Sequence, residues 1–197
     1  MMIKETEIIH SMYYKMIVNQ MVDTFISEEP AASKKYSFMS GDLIDDGPDQ
    51  ILEFKIESYG EIEPLDFHEL IIPVMSKRFV NALNEIGVDN IQTFPAVLVH
   101  EETGLKWSEY FAVNIVGKLA CANLDKTTYG TIGAGVIDIE NLILDYEKTK
   151  SAILFRLAED PTIIIINEKI FNKLDSFSEP SFRGASFKYI KDTSEVE

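Results

Sequence analysis

The side chains best suited to metal ligation or nucleophilic attack in this 197-residue chain are three histidines and one cysteine. His10, His68 and His100 stand far apart, and none has the i, i+4 histidine partner of a helical zinc site. His68 lies between Asp66 and Glu69, a weak metal-like cluster to which no metal is assigned. Cys121 closes the apolar run Leu119-Ala120-Cys121 and reads as a small buried hydrophobe. A single cysteine permits no intramolecular disulfide, which fits a reducing compartment.

The stretch from Asp42 to Glu53 comes nearer to a ligand pattern. It has acids at loop positions 1 and 5, glycine at 6 and glutamate at 12, as a calcium loop does. Ile44 at position 3 cannot ligate, and Asp49 takes the place of the usual apolar residue at position 8. An acidic turn leading into a strand at Ile51 to Ile56 is the expectation. Gly130-Thr131-Ile132-Gly133-Ala134-Gly135 has the wrong glycine order for a dinucleotide fingerprint, and no Lys-Ser or Lys-Thr follows it. It reads as a glycine-rich turn. No Gly-x-Ser-x-Gly elbow occurs. Carboxylate pairs are so abundant that their spacing says nothing about acid–base work. No catalytic residue, metal site or cofactor site is therefore expected, and the chain is not expected to be an enzyme.

Charge points elsewhere. The 33 acidic and 18 basic residues leave a formal charge of −15. Nucleic acid and anionic membranes are poor partners for such a chain, because both need cations to meet phosphates. A basic protein suits it, since opposite fields speed encounter. The excess is concentrated. From Asp42 to Glu69 ten acids (Asp42, Asp45, Asp46, Asp49, Glu53, Glu57, Glu61, Glu63, Asp66 and Glu69) face Lys55 alone, so this segment holds −9 of the −15. A local concentration of this kind makes a directional field.

The elements that must carry these residues show one internal repeat. Ile71 to Met75 is a β run, Ser76 a helix N-cap, and Phe79, Val80, Leu83 and Ile86 one helical face, closed by Gly87 as a C′ residue of positive φ. Thr162 to Ile166, the cap Asn167, and Ile170, Phe171, Leu174 and Phe177 repeat that spacing. An aromatic-led strand follows each helix, at Thr93 to Leu98 and at Ser186 to Ile190. Between the copies, Glu101-Glu102-Thr103-Gly104 is a turn signal. Strand-like runs cover Tyr110 to Val116, Lys118 to Cys121, Val136 to Leu144 and Ala152 to Leu157. Near the N-terminus, Tyr13 to Val18 suits a strand and Asn19 to Ile26 a short helix. The fold class expected is α+β, a duplicated strand–helix–strand unit with an antiparallel β meander. Its expected parts are an acidic, β-containing segment over residues 1–70, a duplicated core over 71–190 continuous with 12–70, and a flexible tail over 191–197. No apolar run reaches membrane-spanning length, and the first residues lack a basic region followed by an apolar core. The expectation is a cytoplasmic chain.

Several of these residues carry a resemblance. Ile72-Pro73-Val74-Met75-Ser76-Lys77-Arg78-Phe79, then Ala82-Leu83, Gly87 and Phe94-Pro95-Ala96-Val97-Leu98, resemble the core of bacterial immunity family 11, first described from a Myxococcus protein and formerly a domain of unknown function. Tyr110 to Ile115, Leu142 to Asp145, Phe155-Arg156-Leu157 and the second strand–helix copy ending at Leu174 extend the likeness over residues 36 to 190. It rests on spaced apolar and capping residues, with no catalytic signature. The resemblance implies a protein that protects its producer by binding a toxin of a polymorphic toxin system. Nucleases are common among such toxins, and a nuclease groove that attracts phosphates also attracts carboxylates. The partner expected is thus a cognate toxin, basic in charge. No contact residue is transferred from the family. The contact surface expected from the residues themselves is Asp42, Asp45, Asp46, Asp49, Glu53 and Glu57, with Glu101, Glu102 and Trp107 as a second patch, Trp being a favoured anchor. The alternatives are an interaction or regulatory protein of a secretion cluster, separated by gene neighbourhood, and an enzyme of unrecognised type, which would need a pocket of convergent polar groups.

Overall fold

A computed structural model describes residues 11–19, 21–31, 35–60, 62–132, 136–175 and 181–195. His10, Glu61, Gly133 to Gly135 and Phe177, named above, lie outside them, as do the ends of the chain. One six-stranded sheet runs, edge to edge, β11 (Ile143–Leu144), β14 (Ala185–Asp192), β1 (Tyr13–Val18), β13 (Ile164–Asn167), β12 (Leu154–Leu157) and β8 (Lys118–Leu119). The other runs β2 (Thr24–Glu28), β3 (Leu52–Ser58), β6 (Ile91–His100), β7 (Lys106–Ile115), β5 (Pro73–Ser76) and β4 (Phe67–Glu69). A two-stranded ribbon, β9 (Thr128–Ile132) with β10 (Val136–Asn141), and two helices, α1 (Lys77–Glu85) and α2 (Glu168–Leu174), complete the fold.

Strand patterning follows the faces each strand must bury. In β3, Leu52, Phe54 and Ile56 are buried while Glu53, Lys55 and Glu57 point away. The run Ile163 to Ile166 is buried on both faces and so reads as unbroken isoleucine. Its even members join a core with Tyr14, Met16, Phe67, Met75, Phe79, Val113 and Leu174, drawn from both sheets and both helices. Its odd members join Tyr13, Cys121, Ile139, Leu142, Phe155 and Ile190 on the other face of the first sheet. A third cluster, with Phe38, Leu52, Phe54, Ile72, Leu98 and Ala112, lies beneath the loop before β3.

Two capped helices form where the periodicity places them. The Ser76 hydroxyl accepts from the Phe79 N–H, the Asn167 side chain from the Lys169 and Ile170 N–H groups, and Gly87 takes a φ of +88° past the end of α1. The fold class is nevertheless not the expected one. The protein is mostly β, 44% strand and 14% helix, with curled sheets, and is not a duplicated strand–helix–strand α+β fold. In neither copy do the two strands pair with each other: β7 stands between β5 and β6, and β1 stands between β13 and β14. Hydrogen bonding between distant segments, which local periodicity does not report, sets the class. The helix expected over Asn19 to Ile26 is also absent, because Thr24–Glu28 pairs with β3 as a strand.

One carboxylate ties these parts together. Asp66 is buried, and its Oδ1 accepts from the Ser76 hydroxyl (2.7 Å) and Arg78 Nε (2.6 Å). Its Oδ2 accepts from Arg78 Nη2 and the Arg183 N–H (3.0 Å). Its backbone also accepts from the Ser76 N–H and donates to the Arg183 carbonyl. Burial alone would push this carboxyl up, but the hydrogen bonds from Arg78, Ser76 and Arg183 outweigh it and hold the group below its ordinary value. Asp66 thereby joins the cap of α1 to the segment that enters β14. Gly184 makes the close approach possible: its φ is +96°, and an added Cβ would lie 2.2 Å from the Phe67 carbonyl oxygen.

Two stability measurements follow. Gly184→Ala should destabilise by roughly 3 kcal/mol or more, from strain plus a backbone clash. Gly104→Ala, at a φ of +70° with open space around it, should cost only about 1 kcal/mol. Equal shifts of the urea midpoint would refute the packing account. The second concerns His68, which is 1% exposed and accepts the Leu65 N–H at Nε2 (3.1 Å). Burial lowers its pKa from 6.5 to about 4, against the attraction of Asp66. Between those values the unfolded chain holds a proton that the folded chain does not. This contribution is therefore complete above about pH 6.5 and is lost towards pH 4, by roughly 3 kcal/mol. His68→Gln keeps an acceptor but cannot titrate, so the difference in unfolding free energy between variant and parent should change across that window. A constant difference would refute it.

Candidate partner-binding surface

The residues from Tyr36 to Ile51 form a loop laid across one end of the second sheet. Phe38, 2% exposed, anchors its start and meets Phe94 of β6 edge-on at 5.7 Å. Beyond it, the fastening uses neutral groups. Gln92 accepts from the Ile44 N–H (2.8 Å) and donates to the Ile44 carbonyl (3.3 Å). Asn114, buried on β7, donates to the Asp42 carbonyl (2.8 Å) and to Gln92 (2.8 Å). The Gly117 N–H donates to the Gly41 carbonyl at 2.8 Å. The amides hold the backbone and leave the side chains outside: Asp42, Asp45, Asp46 and Asp49 are exposed, and Leu43 and Ile51 are exposed at 62% and 65%. Among the described residues none of these four aspartates forms an ion pair. Lys35 is the cation raised by the field of Asp49 and Asp46, after its larger interaction with Tyr36. No described group of three or more histidine, cysteine, aspartate or glutamate side chains could hold a metal ion, so the calcium-like spacing gathers no ligand shell here.

The remaining acids of the expected surface are placed differently. Glu53 and Glu57 alternate outward on β3, with Glu53 3.3 Å from Lys106. Lys55 binds Glu28 and lies 4.0 Å from Glu101. Glu101 and Glu102 are exposed on the β6–β7 turn, which Thr103 closes by contacting His100 Nδ1 through its N–H (3.3 Å) and hydroxyl (3.0 Å). Gln92 and His100 are eight residues apart on β6, so loop and turn are separated by roughly 26 Å of strand. The acids thus fall into two patches. Trp107 pairs with Leu98 in register, packs against the third core cluster and is half-buried, so it does not extend the Glu101–Glu102 tip.

Trp107 instead edges a groove of about 560 Å³ that the sequence did not reveal. Asp66, Arg78, Tyr110 and Arg183 line it, from parts of the chain as distant as β7 and the approach to β14. Three of its four cations pair within it, Arg78 with Asp66, Lys77 with Glu109 and Arg183 with Glu63, while Lys106 turns to Glu53 outside it. All four acceptor positions of the Asp66 carboxylate are occupied, which leaves it no lone pair for proton abstraction. Burial, with Asp66 beside it, pushes the Tyr110 phenol up. Cys121 is fully buried, and burial pushes its thiol up to about 12, the reverse of a reactive thiolate. Proximity in the sequence could not have found the groove, because its cations lie 105 residues apart at positions 78 and 183.

No helix among the described residues is long and apolar enough to cross a membrane. No curated protein matches the chain. A family model for immunity proteins, Imm11, matches residues 32–192, a span that holds the acidic loop, the Asp66 staple and every strand of both sheets except β1 and β2. The chain belongs to the immunity protein family Imm11.

Proposed function

We propose that this protein neutralises a cognate toxin by stoichiometric binding, with the loop from Asp42 to Asp49 as its main contact, and that the toxin presents a basic surface such as a nuclease groove. Family membership supports a toxin-immunity role. The observation that carries the finer reading is the contrast between two sets of acids. Glu53 and Glu101 have lysine neighbours, while Asp42, Asp45, Asp46 and Asp49 stand exposed on a backbone held by Gln92, Asn114 and Gly117. A loop held in place loses little entropy on binding, and exposed carboxylates that form no ion pair among the described residues attract an external cation. Leu43 and Ile51, exposed between them, supply apolar area of the kind that forms the centre of an interface. Glu57 and Glu102 add to the field at longer range, and Trp107 borders the neighbouring groove. Toxin is occluded, and no bond is made or broken.

The product of the adjacent toxin gene is the partner to test. Replacing Asp42, Asp45, Asp46 and Asp49 together by lysine should slow association by about tenfold or more and abolish its acceleration at low salt. The melting temperature should stay close to the parent's, because the four side chains are exposed. Unchanged protection of toxin-expressing cells would refute the surface. Leu43→Ala with Ile51→Ala should act chiefly on dissociation, raising its rate by about tenfold with association little altered. An unchanged dissociation rate would remove these two residues from the interface.

A further inference from the structure

On the face of the first sheet that carries Tyr13, Ile165 and Ile190, a cavity of about 390 Å³ opens between the sheet and the end of β10 with Leu142 beyond it. This volume lies within the ~300–1,000 Å³ typical of small-molecule sites. Its apolar lining is Ile17, Ile163 and Ile190 from the sheet, with Ile139 and Leu142 opposite. Lys15 and Lys188 stand at its edge and are direct register partners on β1 and β14.

That pair is unusual on physical grounds. Like charges directly opposite one another on antiparallel strands repel, and here they do so beside apolar surface, which weakens screening. Among the described residues neither lysine forms a close ion pair, in a chain where acids outnumber bases 33 to 18, and the carboxylate whose field Lys15 shares is Glu69, outside the cavity lining. Glu140 also lines the cavity, so its three charged side chains sum to a single positive charge. The surroundings therefore match one monovalent anion shared between two ammonium groups, attached to an aliphatic body that fills the isoleucine-lined space.

We propose that this cavity binds a small unbranched aliphatic carboxylate, its headgroup bridging Lys15 and Lys188 and its chain lying against Ile17, Ile139, Ile163 and Ile190. The site is independent of the toxin-binding reading. It lies on the first sheet, whereas the acidic loop is fastened to the second.

The test is titration of the full chain with hexanoate, octanoate and octanol, each below its micellar or solubility limit, followed by isoleucine methyl resonances and calorimetry. Octanoate should shift the Ile139 and Ile163 methyls saturably. Affinity should rise about fourfold for each added methylene that is buried. Octanol, with the same chain and no charge, should bind at least about tenfold more weakly, as an unpaired cation pair predicts. Lys15→Gln with Lys188→Gln should lower octanoate affinity by about tenfold, leave octanol affinity unchanged, and melt no lower than the parent, because the substitution relieves repulsion. No saturable shift at those methyls would overturn the proposal. So would equal binding of octanol, undiminished octanoate binding by the variant, or a lower melting temperature of the variant, which would mean the lysines already have partners. Protection against toxin plays no part in the readout, so failure here leaves the immunity reading as it stands.

Discussion

Asp66 is the constraint on which the arrangement depends. A buried carboxylate is costly unless its lone pairs are filled, and here filling them fixes three things at once. The Ser76 hydroxyl turns towards it while capping α1, the Arg78 guanidinium lies across it, and the Arg183 backbone is drawn in just before β14. β14 belongs to the first sheet and β4 and β5 to the second, so one ion pair sets how the sheets meet. The same contact builds the floor of the groove beside Trp107. Removing one partner would leave a charge buried without compensation, which is why such pairs are destructive to break even when they add little net stability.

Away from this point the protein divides its polar groups by task. Uncharged amides fasten backbone: Gln92 and Asn114 hold the acidic loop, and Asn90 donates to the carbonyls of Val116 (2.6 Å) and Leu154 (3.0 Å), linking the end of β7 to β12. Most charged groups stay outside, where solvation is kept and a field can act at a distance; an exception is Arg156, fully buried on β12, whose guanidinium donates to the Pro161 carbonyl (2.7 Å). A loop tied down by its own carboxylates would have spent their charge internally. Because amides do that work, the four aspartates remain exposed on the surface.

The residue types at short range were readable. Both helix caps, the β6–β7 turn, the strand at Ile51 to Ile56 and the burial of Cys121 follow from local chemistry, and each depends on groups within a few residues of one another. The fold class was not readable. The strand–helix–strand spacing recurs as read, but β1 inserts between β13 and β14, and β7 between β5 and β6, so the two copies are not units in the structure. The acidic segment was legible as a composition and not as a surface. Sequence gives ten acids in one stretch, while the tertiary structure pairs Glu53 with Lys106, Glu63 with Arg183 and Asp66 with Arg78 and leaves Asp42, Asp45, Asp46 and Asp49 exposed.

By itself, the order of amino acids determined charge, capping, local periodicity and a family likeness, because these are properties of single residues or of neighbours within one or two turns. Tertiary structure alone decided which strands share hydrogen bonds, that Asp66 meets Arg78 and Arg183, that Trp107 faces a groove, and that Lys15 stands opposite Lys188. Each of those contacts joins segments whose separation in the chain bears no relation to their distance in space. They arise when distant apolar faces are buried together, and that burial leaves no periodic trace in the sequence.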